Sequence, residues 1–281
     1  MATVKFIRSD GKEFYIDNSM WKITKLENFG SVNNSITNED NATSDGSDFV
    51  SEKINEIDRT VEFVLTERKL NNSMRDIARN FFVPKYQFEC HINYNGIKKW
   101  CKGRLYKPYM PTDNINAFLK LSITLLCNDP FFYSEDGFSK DIAGVNDMLE
   151  FPLEITEDGV EFDSFEFSNE VSFINDGDVE TNCVATMKFS GEVVNPKLIL
   201  GNYFVRVIDI MKSNDTLVID LVNRPIKIIK NNENIIRKID RLSNFDKIKF
   251  KVGENTISYG ADSGDNNMNV NISVYRKYIG L

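Results

Sequence analysis

Asp176-Gly177-Asp178, within FINDGDVETNC (Phe173–Cys183), sets two carboxylates on either side of a turn residue. Paired aspartates at a turn could hold a hard cation such as calcium. A calcium loop of the EF-hand kind, however, needs a third oxygen donor before its glycine and a bidentate glutamate six residues beyond it. Here Gly177 lies between the two aspartates. The run reads as a turn between strands, and no metal site is assigned to it.

Cys90, His91 and Cys101 form the second group, in YQFECHINYNGIKKWCKGRLY (Tyr86–Tyr106). Thiolates and an imidazole are soft-metal ligands, and two cysteines could make a disulfide. Asn95-Gly96 decides between these, because both positions tolerate positive φ and set a two-residue hairpin. Residues whose numbers sum to 191 then face each other, so Cys90 opposes Cys101 and His91 opposes Trp100. The cysteine pair falls at a hydrogen-bonded, widely spaced position, poor for a cross-strand bridge. His91 points to the opposite face from both thiols, so three ligands cannot converge. Packed free thiols are expected.

Catalysis has less to work with. His91 is the only histidine, which removes any histidine-based triad. GxSxG, GxxxxGK[ST] and HExxH are absent. With 42 acidic residues, carboxylate pairs of the kind glycosidases use always occur, and nothing distinguishes any pair. No catalytic, cofactor-binding or metal residue is assigned, no cofactor is called for, and the chain is expected not to be an enzyme.

The elements behind these residues are mostly strands. VKFIRS and KEFYID flank Asp10-Gly11 as a hairpin, and WKITKLENF alternates after them. SVNNSITNEDNATSDGSD, residues 31–48, is polar and turn-rich and reads as a long loop or flexible arm. Arg59–Glu67 alternates as a strand. One helix follows in NNSMRDIARNFFVP, where Met74, Ile77, Ala78, Phe81 and Phe82 form an apolar stripe. Asn72 or Ser73 can cap its start and Pro84 ends it, while Arg75 and Arg79 lie on a solvated side. Leu119, Leu121, Ile123, Leu125 and Cys127 share one face of a long strand that Pro130 closes.

A domain boundary is expected near residue 140, giving domains 1–140 and 141–281, each long enough for a core of its own. The second domain shows no helix signal. Its candidate strands are VEFDSFEFS, VSFIN, ATMKFSG, PKLILG, YFVRVIDI, TLVIDLV, PIKIIK, KIKFKV, NTISYG and MNVNISVYRKYI. Many short strands between turn signals imply an antiparallel sandwich.

Charge narrows the partners. The whole net charge of −8 falls in residues 141–281, and residues 141–180 hold 13 acidic residues with no lysine or arginine. Such a field repels phosphate backbones and anionic lipid heads, so specific nucleic-acid binding and membrane binding are not expected. No positively charged, then apolar, leader opens the sequence, and no apolar run nears the ~20 residues of a membrane span. A cytosol-like compartment of synthesis is the expectation.

Order and spacing of several segments carry a resemblance. DGSDFVSEKINEIDRTVEF, the helix, WCKGRL and LLCNDPFFYS are followed by FINDGDVETNCVATMKFSG, VNPKLILG, NDTLVIDL, FKVGENTISYGA and ISVYRKYIGL. In this order the chain resembles phage distal tail proteins of the siphophage tail-component family over nearly its full length. Asn182-Cys183 departs from the pattern, where the family often has a proline. The resemblance implies a mainly β fold: an N-terminal β domain with one short helix, then a C-terminal galectin-like antiparallel sandwich. It also implies a homo-hexamer ringed at the distal end of the tail tube, on the virion's tail tip, assembled in the host cytoplasm. The implied partners are the tail tube protein, the tail-tip hub (tail-associated) protein and receptor-binding components, with DNA passing through the lumen. The alternative is a lectin-like module for cell-wall glycan, with Tyr203, Tyr259, Tyr275 and Tyr278 as stacking platforms.

Overall fold

The computed structural model describes residues 2–41, 45–67, 71–111, 118–135, 137–141, 169–223 and 225–281. It divides into two compact units: Met1–Glu135 with Lys277–Leu281, and Asp136–Arg276. The fold is mainly antiparallel β with one α-helix among the described residues, as expected.

Unit one is built from β1 (Thr3–Arg8), β2 (Glu13–Ile16), β3 (Trp21–Glu27), β4 (Asn33–Asp40), β5 (Ser47–Asn55), β6 (Ile57–Leu65), α1 (Asn71–Phe81), β7 (Gln87–Tyr94), β8 (Ile97–Tyr109), β9 (Lys120–Cys127) and β10 (Phe132–Ser134). Its main sheet runs β2-β1-β7-β8-β9-β6-β3, with β10 also on β8. Alternation works as the residue types dictate: Leu121, Ile123, Leu125 and Cys127 of β9 are buried, as is Leu119 just before it. The strand Lys277–Tyr278 pairs with β10, Phe132 opposite Tyr278. An expected second domain running to residue 281 therefore surrenders its last five residues, because their pairing partner is β10.

Helix α1 lays Ala78 and Phe81 into the core, followed by Phe82, whose N–H donates to Ala78 O at 2.8 Å. Ile77 does not join them; it is 49% exposed. At 100° per residue it lies about 60° round the helix from Met74, on the rim of the stripe. Arg8 ends the helix from β1, donating from Nη1 to the carbonyls of Asn80 (2.9 Å) and Phe81 (2.8 Å). A cation on the last carbonyls satisfies acceptors that the helix leaves open and complements its dipole. Asp10 orients that guanidinium through a two-point pair at 2.8 and 2.6 Å.

The expected loop 31–48 is instead a hairpin arm. β4 and β5 pair over their full length with a bulge between Thr37 and Asn38, and every side chain of β4 is exposed. With neither face in a core, no hydrophobic alternation marked these strands.

Unit two is a sandwich. It contains β11 (Phe138–Asp141), β12 (Glu170–Asn175), β13 (Cys183–Phe189), β14 (Val193–Val194), β15 (Lys197–Leu200), β16 (Tyr203–Arg206), β17 (Ile210–Met211), β18 (Thr216–Asp220), β19 (Lys227–Lys230), β20 (Glu233–Asn234), β21 (Gly253–Gly260) and β22 (Met268–Val274). One sheet runs β11-β22-β13-β18-β19-β20 and another β12-β21-β15-β16, while β14 and β17 form a small pair. One buried cluster draws on both sheets, with Phe173, Leu198 and Ile257 from one and Met187, Ile219 and Val270 from the other. The expected strand KIKFKV is not one. Ile248 and Phe250 are buried in alternation, but Phe250 makes only an isolated bridge, to Thr181. VEFDSFEFS and most of the acidic stretch 141–180 lie outside the described residues.

Candidate functional site

Asp176-Gly177-Asp178 links β12 in one sheet to β13 in the other, so it is a crossing between sheets rather than a hairpin turn. Its organiser is the residue just before the motif. Asn175 is fully buried; its Nδ2 donates to Val179 O (3.0 Å) and Phe250 O (3.1 Å), and its Oδ1 accepts from Gly177 N (3.1 Å). A buried amide that satisfies three backbone groups fixes a crossing where no ladder can. Its only sequence signal is an asparagine directly before Asp-Gly. Asp176 is turned outward and pairs with Arg276 Nε at 2.6 Å. Among the described residues no group of three or more His, Cys, Asp or Glu side chains could hold a metal ion.

The Asn95-Gly96 hairpin has the register read from the sequence, with Cys90 opposite Cys101 and His91 opposite Trp100. Asn95 and Gly96 take φ of 51° and 91°, the left-handed values such a turn demands. The four cysteines are free and buried. Gly103 faces Cys127 closely: a Cβ there would lie 2.9 Å from Leu125 Cβ and 3.2 Å from Cys127 Sγ. A hydrogen bond with Cys101, then burial, raises the Cys127 thiol, and burial pushes Cys183 up to about 12. Thiolate is the reactive form, so these thiols are inert in the native fold. A thiol-exchange dye is expected to read none of the four in native protein and all four in guanidinium. Rapid labelling of any one without denaturant contradicts this packing.

His91 stands on the outer face, stacked on Trp100 (5.8 Å between centroids), which stacks on Tyr133 (4.6 Å). Glu89 and Glu135 flank it, each at 3.4 Å. Among the described residues the imidazole's side-chain hydrogen-bond partners are these two carboxylates.

Two carboxylates are held far below the usual range. Asp10 sits at about 2, chiefly through the Arg8 hydrogen bonds. Asp215 sits at about 2 through the Lys212 backbone N–H (2.9 Å), then the Asn231 amide (2.7 Å) and Lys230. Both start from an unfolded value of 3.8. A depressed pKa stabilises the fold fully above the unfolded value, and that contribution is lost as pH falls through the folded one. Acid unfolding should therefore steepen between pH 3.8 and about 2, and side-chain carboxyl NMR should give both midpoints near 2. Midpoints near 4 contradict the assigned pairs.

Of the four tyrosines raised as sugar platforms, Tyr259 is buried and Tyr278 packs on the unit-one core. Tyr203 is 43% exposed beside a shallow cavity of about 210 Å³ lined by Lys197, Asn202 and Arg206. Arg206 is engaged by Asp240 and Asp262. On the arm, Ile36, Phe49 and Val50 are 59, 64 and 54% exposed.

Residues 176–278 match the family model described as siphovirus-type tail component, C-terminal domain. No curated protein matches the chain in sequence. Among solved structures, the Dit protein of phage SPP1, described as a paradigm of the hub adsorption apparatus in phages infecting Gram-positive bacteria, is 14% identical. It superposes with a TM-score of 0.65 over 98% of each chain. A chain of the phage P2 baseplate in its activated conformation with calcium is 9% identical, with a TM-score of 0.62 over 100% of both chains. The strontium form of that baseplate gives 10% and 0.61, again over 100% of both. At these identities the structural likeness speaks to fold alone. Residues 176–278 thus resemble the C-terminal domain of siphovirus-type tail components, within a chain that shares the SPP1 Dit fold from end to end.

Proposed function

We propose that this chain is the structural hub of a phage tail tip. Six copies close a ring at the distal end of the tail tube through unit one, joining the tube to the tail-tip hub protein. Unit two carries peripheral receptor-binding components. The role is architectural rather than catalytic. The observation that carries this reading is the extent of the likeness: the fold matches the SPP1 Dit protein, described as a paradigm of hub adsorption apparatus, over 98% of both chains. The protomer also leaves the apolar side chains of its arm uncovered, which suits a protein completed by assembly.

Light scattering coupled to size exclusion, with negative-stain microscopy, tests it directly. A six-fold ring that binds tail tube protein is expected. A strict monomer at high concentration that ignores the tube protein overturns it.

A glycan-binding reading retains one observation in its favour, the exposed Tyr203 ring beside Asn202. Binding of the full chain to cell-wall fragments, abolished by Tyr203→Ala, would establish it; silence across such fragments removes it.

A further inference from the structure

The apolar side chains of the arm gather on one of its two faces, among polar ones. Its register sets Asn34 opposite Ile54, Ile36 opposite Glu52 and Asn38 opposite Phe49. Strand alternation then puts Ile36, Phe49 and Ile54 on one face, interleaved with their partners Glu52, Asn38 and Asn34, while Ser35, Thr37, Ser51 and Lys53 take the other. Val50 is the extra residue at the bulge. From Ser47 to Lys53, β5 is exposed throughout, so the arm does not lie on its own protomer. A lone two-stranded hairpin is marginal in water, and an apolar face on it invites a partner.

Charge indicates which partner. Residues 33–55 hold five acidic residues and one lysine, whereas the rest of residues 1–140 hold 18 basic and 14 acidic. The balanced charge of the first half is thus an acidic arm set against a basic body. On that body, β8 outruns its neighbour: β7 pairs it only as far as Arg104, while β9 follows it to Tyr109. Residues 105–109 therefore have one unladdered side among the described residues. This segment carries exposed Tyr106, Lys107 and Tyr109, with exposed Arg104 at its root, and Lys107 lies 4.7 Å from the Tyr106 ring centroid. It offers an acidic arm two cations, two aromatic rings and a strand side that β7 leaves unpaired.

We infer that the arm of one copy docks, by its Ile36–Phe49–Val50 face and acidic flanks, on the open Arg104–Tyr109 segment of β8 in a second copy. The inference rests on the ring reading and names the surfaces that would make it. Arm and acceptor are different surfaces of one chain, so the contact is head-to-tail, the kind that closes into rings. Each copy offers one arm and one acceptor, so a closed ring leaves neither free.

A charge-swap experiment on the full chain tests it. Ile36→Ser with Phe49→Ser is expected to weaken self-association by roughly tenfold or more, with thermal unfolding unchanged because both residues are exposed. Arg104→Glu with Lys107→Glu should weaken it as well, as should Asp48→Lys with Glu52→Lys. Mixing these last two proteins should restore assembly, since each then meets an oppositely charged surface. Arm-face variants that keep the wild-type mass at every concentration, or reversed proteins that stay apart when mixed, overturn the inference while leaving the ring reading standing. A wild-type chain that never self-associates overturns both.

Discussion

Phe82→Ala is expected to cost unit one about 4 kcal/mol, in the upper range for truncating a buried aromatic. Phe82 is 3% exposed and sits among five phenylalanine rings, with centroids of Phe81 at 4.9 Å, Phe6 and Phe14 at 5.2 Å, Phe88 at 6.0 Å and Phe63 at 6.5 Å. Those rings come from α1 and from strands β1, β2, β6 and β7, so no single element can move in to fill the space left. The cost is the lost transfer of the ring plus an uncollapsed cavity, and loss of the edge-on ring contacts adds to it. Ile77→Ala, a few residues upstream on the same helix, should change stability by no more than about 0.5 kcal/mol, since its side chain is half in water. Urea titration read through Trp21, which is buried 5.2 Å from Phe63, reports both. Equal losses from the two variants would mean that the helix is rotated from the orientation described.

That pair of residues shows what the sequence can and cannot specify. The 3.6-residue period identified α1 correctly and put Ala78, Phe81 and Phe82 in the core. It could not say how wide the buried stripe is, because the width depends on the sheet beneath, which comes from distant strands. Asn95-Gly96 was more informative, since a two-residue turn fixes pairing by covalent connection alone, and Cys90 opposite Cys101 followed by counting. The β4–β5 arm was illegible for the converse reason: a strand exposed on both faces needs no apolar alternation, and its composition resembles that of a loop. KIKFKV erred in the other direction. Alternation records burial, and Ile248 and Phe250 are buried, but a ladder needs a neighbouring strand of matching length, and Phe250 makes a single isolated bridge, to Thr181. Arg8 and Asn175 were overlooked because their partners, the end of α1 and the Phe250 carbonyl, lie more than 70 residues away in sequence. Such residues look like any other polar residue until the fold closes around them. At Asp176-Gly177-Asp178 that same Asn175 holds the crossing with its amide, while both aspartates stay exposed.

Gly264→Ala should be the most damaging single-atom addition in unit two, with an expected loss of about 3 kcal/mol or more. Two costs combine there. Gly264 has φ +81°, where an alanine Cβ crowds its own backbone, a penalty of about 1–2 kcal/mol. The same Cβ would lie 2.2 Å from Glu192 O and 3.3 Å from Val193 Cα, which are backbone atoms that cannot rotate away. Those atoms are themselves fixed, because Val194 N–H donates to Ser263 O (3.0 Å) and Asp262 N–H to Val194 O (2.9 Å). Relieving the clash therefore means opening the junction that holds residues 262–264 to β14. Gly253→Ala separates the two costs. Gly253 has φ +98° but open space around its Cβ, so it should lose only the conformational share, about 1–2 kcal/mol. Both tryptophans lie in unit one, so the readout for unit two is calorimetry or tyrosine near-ultraviolet dichroism. The expected gap in melting temperature between the two variants is roughly 5 °C, at a few degrees per kcal/mol for a unit of this size. Coincident melting of the two variants would show that the chain at Glu192 stands further from Gly264 than described.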